Sequence, residues 1–310
     1  MLTRSLVFAL MAVETASVAS LAQAATVIVD DFSVDSSANY TVVNDGTPDG
    51  TQAFAFDYVA AGIPVAPRSA PGSTGGLRLT ANDAAAATDA WTLFHNTAVS
   101  ADKYSLKVDV WMNFDAASGS TEFGHVGVAG NGSTFNSVFT PISGSGAFIS
   151  FTGDGGSGSD YRWFRDTANS LADDPATAPA ISSTTLANSH PSYLGHGSNN
   201  TGAFFQSLFP SGTVAGSPGN LWTTLKIDVD NVAKQISFSF DDQLTFQGTF
   251  IGNLNGQVSL GLADTFTSVS GASNVFTLYD NLEVSVVPEP ASAILALLGV
   301  GAVAVVRRRR

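Results

Sequence analysis

Of the 310 residues, 44% are hydrophobic and 13% charged, a balance that excludes a disordered chain and leaves enough apolar mass for a sizeable core. The formal charge is −13, and outside the two ends the chain carries 24 acids against 8 bases, which excludes a nucleic-acid-binding surface. Cysteine is absent, so disulfides, thiolate metal sites and cysteine nucleophiles are all excluded.

The first element is a leader. Arg4 gives a positive start, Ser5–Val13 is a short apolar run broken by Glu14, and Ala22-Gln23-Ala24 is a small-residue site that places cleavage after Ala24. Residues 1–24 are therefore read as an N-terminal signal helix and 25–286 as a single folded body. Thirty glycines and three methionines, with many Ser, Thr, Val and Phe, favour strands and turns in that body.

Along the body, strands are expected at Thr26–Phe32, Gln52–Tyr58, Gly76–Thr80 and Trp91–Asn96. Alternation is clearest at Leu106, Val108, Val110, Met112 and Phe114, with Lys107, Asp109 and Asn113 between them. The stretch Glu122–His125 reads as a strand, residues 152–160 and 211–220 as Gly/Ser/Pro loops, and Tyr161–Arg165 as a further strand. Leu225, Ile227 and Val229 alternate with Lys226, Asp228 and Asp230. A short polar connection then leads to Ile236, Phe238 and Phe240. Strands at Leu244–Gln247, Gln257–Leu262 and Val275–Val284 complete the series, and no stretch sustains a helical period. The fold class is all-β, a two-sheet antiparallel jelly-roll sandwich.

The chain ends with Pro288-Glu289-Pro290, a 16-residue apolar run from Ala291 to Val306, and Arg307, Arg308, Arg309 and Arg310. As a helix that run spans roughly 24 Å, enough for a short transmembrane segment whose arginines stay cytoplasmic. This three-part ending, residues 287–310, resembles the PEP-CTERM sorting signal of exported proteins in Gram-negative bacteria that make exopolysaccharide. The resemblance implies an exosortase-type processing enzyme as partner and a transient anchor in the inner membrane. The destination it implies is the cell surface or the extracellular space.

A second resemblance rests on Asp30-Asp31-Phe32-Ser33, Leu221-Trp222, Ile227–Asp230, Ser237–Asp242 and Phe276–Val284, which look like strands of concanavalin A-like domains of the laminin G or glucanase type. It implies a fold that serves lectins, hydrolases, lyases and inert modules alike. Asp280 falls in the phase of Phe276, Leu278, Leu282 and Val284, so an inward carboxylate is expected there. The resemblance implies a structural Ca²⁺ held by Asp280 with Asp31 or Asp30. The other reading is a carboxylate bonded to main-chain amides.

Glycosidases of this fold pair glutamates on one strand, whereas the body has only Glu122 and Glu283, in no such run. Lyases of the fold use a His or Tyr base with an Arg, and His125, Tyr161, Arg162 and Arg165 could supply one without any spacing that requires it. Of the four histidines, His95 among them, His190 and His196 are six apart and match no zinc-helix spacing. Tyr161, Trp163 and Arg165 share one strand face and are the candidate glycan contacts, against the alternative of an ordinary core strand. Residues 57–79 resemble a string in exported proteins with the same tail, with no role attached. The balance favours a non-catalytic exported module associated with extracellular polysaccharide; a polysaccharide lyase or hydrolase and a purely structural matrix protein remain the alternatives.

Overall fold

The computed structural model describes residues 24–46, 48–84, 88–113, 122–137, 143–154, 161–165, 203–210, 213–264 and 275–287. The leader up to Gln23, Phe114, His190, His196 and the tail from Pro288 onward, including the expected helix at 291–306, lie outside these residues. Among the described residues no helix is long and apolar enough to cross a membrane.

The strands in chain order are β1 (Ala25–Asp30), β2 (Tyr40–Asn44), β3 (Gln52–Asp57), β4 (Gly75–Leu79), β5 (Asp89–Val99), β6 (Lys103–Asn113), β7 (Glu122–Gly130), β8 (Ala147–Phe151) and β9 (Tyr161–Arg165). After a short helix, α1 (Ala203–Leu208), come β10 (Trp222–Asp230), β11 (Gln235–Phe240), β12 (Gln243–Thr249), β13 (Gly256–Asp264) and β14 (Phe276–Val286). The eight-stranded sheet runs β12-β11-β10-β6-β14-β4-β3, with β1 paired to β14 beyond β4; the six-stranded sheet runs β2-β5-β13-β7-β8-β9. The two-sheet antiparallel sandwich read from the sequence is the observed fold. β2, β8 and α1 are elements that the pattern did not yield.

Alternation builds the interior. Leu106, Val108 and Val110 of β6 and Leu225, Ile227 and Val229 of β10 pack against Val126, Val128, Leu260 and Leu262 of the facing sheet, all buried. Each such side chain contributes about 1.5–3 kcal/mol by leaving water. Local turns set the register. Asp230 Oδ1 accepts the Val232 and Ala233 amides at 2.9 and 2.7 Å, closing the β10–β11 hairpin. At the β11–β12 turn, Asp241 and Asp242 both take positive φ (47° and 60°), the conformation a two-residue hairpin demands.

β14 departs from simple alternation. Its pairing with β6 shifts register between Asp280 and Glu283, and Asn281 adopts φ 53°. This bulge reverses which face the strand presents. Tyr279, Leu282 and Val284 point into the main core, whereas Phe276 and Leu278 belong to a second cluster on the outer side. The expectation that Phe276, Leu278, Asp280, Leu282 and Val284 share one face is therefore corrected: the left-handed residue at 281 splits them.

Tyr279 spans the sandwich. Its hydroxyl donates to the Gly261 carbonyl at 2.6 Å and accepts the His125 amide at 3.1 Å, both on the opposite sheet. Burial pushes the phenol far above its ordinary range, so it stays a neutral donor. Tyr279→Phe is expected to cost about 1–3 kcal/mol by leaving main-chain groups without this partner. Urea denaturation of the two proteins measures the difference.

Candidate functional site

The outer face of the eight-stranded sheet divides into a covered and an open part. In the covered part, one row crosses four strands in register: Trp222 of β10, Trp111 of β6, Leu278 of β14 and Arg78 of β4. The two indoles lie 5.8 Å apart, and the Arg78 guanidinium sits 4.5 Å from the Phe276 ring. The connection from β3 to β4, residues 58–74, forms a strap across this row. Ile63 and Ala66 pack on it, and Trp222 Nε1 donates to the Pro64 carbonyl at 2.6 Å.

The next row holds Asp109 and Asp280 opposite one another, both fully buried. Two carboxylates at neighbouring register positions repel, and the strap offsets this with donors. Asp280 Oδ2 accepts the Tyr58 hydroxyl at 2.9 Å and the Ser69 hydroxyl at 2.8 Å, while Oδ1 accepts the Asn281 amide at 2.7 Å. Asp109 Oδ2 accepts the Arg68 amide at 3.1 Å and Asn281 Nδ2 at 2.9 Å, and Oδ1 accepts the Thr224 hydroxyl at 2.6 Å. Arg68 also bonds Glu283 at 3.0 Å and the Asn281 carbonyl at 2.9 Å. Burial raises the Asp280 carboxyl to about 6 against these hydrogen bonds, with Asp109 adding to the rise.

The calcium site implied by the glucanase resemblance fits poorly. Asp31 is exposed and spends Oδ1 on the Ser33 amide and hydroxyl at 3.0 and 2.7 Å. Asp30 accepts the Tyr40 hydroxyl at 3.0 Å and the Phe32 amide at 2.9 Å. Asp280 is engaged by the strap instead, and of the alternative reading only one main-chain amide, that of Asn281, is found; the other two donors are side-chain hydroxyls. Among the described residues no three Asp, Glu or His side chains form a ready metal-ligand group.

The glycan platform expected at Tyr161, Trp163 and Arg165 is also corrected. Tyr161 and Trp163 do share a face, but each is 1% exposed and that face is the interior. Tyr161 stacks on Phe205 of α1 at 4.2 Å, and Trp163 meets Phe238 at 5.7 Å. The Arg165 side chain lies outside the described residues. Arg162 points the other way, in a row Thr92–Gly261–His125–Ser150–Arg162 across the six-stranded sheet. A side chain at Gly261 would lie 2.0 Å from His125 Nε2, so glycine leaves room for the imidazole to reach the Thr92 hydroxyl at 3.2 Å. His125 is fully enclosed, and burial lowers its pKa to about 3, holding it neutral. The candidate lyase residues thus separate, His125 and Arg162 on one face and Tyr161 on the other. Glu122 and Glu283 stand on different sheets. His95, in β5, meets the Tyr40 ring edge-on at 5.2 Å.

The open part of the outer face is polar. Ser285, Ser105, Asp228, Ser237 and Gln247 stand in register across five strands. Ser105 donates to Asp228, whose other oxygen pairs with Lys226 at 2.7 Å, and Lys103 pairs with Asp230 at 2.6 Å. Lys103, Ser105, Asp228, Asp230, Ser237 and Gln247 line a groove of about 280 Å³, with Val287 also in its wall. Sequence reasoning set only Lys226, Asp228 and Asp230 between the apolar positions of β10; the register that gathers the others around them was the missing information.

The comparisons with known proteins address the tail and the layout. Residues 286–310 match the PEP-CTERM protein-sorting motif. No curated protein matches the chain. Among solved structures, the potassium-bound carbohydrate recognition domain of Emp46p is similar with a TM-score of 0.43 at 9% identity, over 80% of this chain and 88% of that one. The Ca²⁺-bound exoplasmic/lumenal domain of VIP36 gives 0.41 at 10% identity, over 84% and 88%. Carbohydrate binding module CBM66 from Bacillus subtilis gives 0.38 at 10%, over 78% and 93%. At these values the likeness describes a sandwich outline and assigns no ligand.

A pH dependence follows from Asp280. Its proton is held more tightly in the folded chain than in the unfolded one, so its contribution to stability is complete below about pH 4 and is lost as pH rises through about 6. Asp280→Asn is expected to flatten the fall in denaturation midpoint between those values. Asp280→Ala strands three donors and costs about 2–4 kcal/mol at pH 5. Urea melts across the pH range measure both.

Proposed function

We propose that this chain is an exported surface module, delivered and trimmed through its C-terminal sorting signal, that binds an uncharged polysaccharide on the open face of its eight-stranded sheet without turning it over. The observation that carries the delivery part is the position of the motif: the match starts at Val286, the last residue of β14, and the Val287 amide still bonds the Lys103 carbonyl at 3.0 Å. The sorting residues Pro288, Glu289 and Pro290 therefore follow the body directly, within reach of an exosortase-type enzyme at the inner membrane.

The open groove supports the binding part. Sugars offer hydroxyls that both donate and accept, and Ser, Asp, Gln and Lys side chains in a register row supply matching groups. Adjacent strands lie about 4.8 Å apart, close to the length of one pyranose unit, so a chain laid across the strands meets one polar side chain per sugar. Lys103 and Lys226 balance Asp230 and Asp228 there, which suits an uncharged chain better than a uronate facing a body of 24 acids and 8 bases. The separation of Glu122 from Glu283, and of His125 from Tyr161, supports a non-catalytic role.

Mass spectrometry of the mature chain tests delivery. The expected form starts at Ala25 and lacks residues 291–310, and replacing Pro288, Glu289 and Pro290 by alanine retains the tail; a mature parent that keeps residues 291–310 overturns the sorting reading. A glycan array tests binding. The expected signal falls on neutral polysaccharides and drops at least tenfold in a Asp228→Ala, Gln247→Ala double variant with an unchanged melting temperature. Silence on the array would favour a structural matrix role.

A further inference from the structure

A second row runs beside the polar row of the open face, two residues away along each strand: Glu283 of β14, Lys107 of β6, Lys226 of β10 and Ser239 of β11. Its charges are paired with one exception. Glu283 spends Oε2 on Arg68 at 3.0 Å and Oε1 on the Ser285 hydroxyl at 2.9 Å, and Lys226 pairs with Asp228 at 2.7 Å. Lys107, half-buried on the central strand β6, has no hydrogen bond or ion pair among the described residues.

Its surroundings separate this ammonium from an ordinary surface lysine. Lys226 stands directly opposite on the next strand, and such register partners lie about 5 Å apart, where like charges repel. The body has 8 bases against 24 acids, yet four of the eight, Arg68, Lys103, Lys107 and Lys226, gather on the outer face of this sheet. They form three pairs, with Glu283, Asp230 and Asp228, and leave one positive charge over. A half-buried cation without an acceptor costs the fold stability unless a ligand supplies one.

We propose that the Lys107 ammonium donates to the carbonyl oxygen of an acetamido substituent on the polysaccharide held in the open groove. The inference rests on that binding reading and narrows its ligand to an N-acetylated, uncharged chain. A sugar laid over Ser105 and Asp228 lies two residues, about 7 Å, from the Lys107 row, a gap that an acyl substituent and a lysine side chain span together. The carbonyl accepts a hydrogen bond from the ammonium without bringing charge of its own. The aliphatic stems of Lys107 and Lys226, side by side, give the acyl methyl an apolar rest. A carboxylate would meet the same ammonium, but it would also face Asp228, Asp230 and Glu283 on a body rich in acid.

The test titrates the full-length chain in detergent with N-acetylchitohexaose and with cellohexaose, following heat of binding. The two probes share backbone linkage and zero charge and differ in the acetamido group. The N-acetylated probe is expected to bind at least about tenfold tighter, the gain of one charge-assisted hydrogen bond. Lys107→Met keeps the stem, removes the donors and erases most of that difference without lowering the melting temperature, whereas Lys107→Arg retains it. Equal binding of the two probes by the parent chain, or an undiminished preference in Lys107→Met, overturns this inference and leaves the groove reading standing. Silence with both probes overturns the groove reading and this inference together.

Discussion

The change of phase in β14 at Asp280 and Asn281 is the constraint on which the rest of the body depends. β14 pairs with β6 along its length and with β4 and β1 in succession on its other side, so it must serve two hydrophobic clusters on opposite faces. A regular strand would send all its large residues one way. The left-handed Asn281 lets Tyr279 reach across to the six-stranded sheet while Leu278 and Asp280 turn outward beneath the strap. Asn281 also completes the junction with its own groups: Nδ2 donates to Asp109 and Ser69, and its carbonyl takes Arg68.

Electrostatics shape the surface that results. A body rich in carboxylates must either expose them or supply donors, and it does both. The strap spends Tyr58, Arg68 and Ser69 on Asp109 and Asp280, while Lys103 and Lys226 neutralise Asp230 and Asp228 on the open face. The segment 57–79, which sequence alone marked as kinship without a role, is the piece that makes buried acid tolerable on the outer face.

Strands buried on one face were legible because their alternation is strict, as in β6 and β10. β8 was not: Ala147–Phe151 is buried on both faces, so its sequence carries no period. β2 buries only Tyr40 and exposes Val42, so its apolar residues follow no inside-outside alternation. The α1 helix is six residues, too short for a helical repeat to appear. At Tyr161 and Trp163 alternation correctly grouped the pair but could not say which face was inside. Parity is a local property, whereas the direction it points is set by the facing sheet. Asp109 failed for a related reason, since a polar residue between Val108 and Val110 reads as solvent-facing until a distant loop is known to cover it. The bulge at Asn281 shifts every later residue by one face, and nothing in the preceding alternation announces it.

The exit of the chain has a mechanical meaning. Val287 continues from an interior strand, with β6 on one flank and β1 antiparallel on the other, Ala25 opposite Val286. Ladder hydrogen bonds run perpendicular to the strands, so a tug on the carboxyl end loads them sideways and all together rather than peeling them one at a time. Pulled from that end, the body would resist as a bolt resists shearing, and the strand that would carry the load is the same one that locks the two layers together.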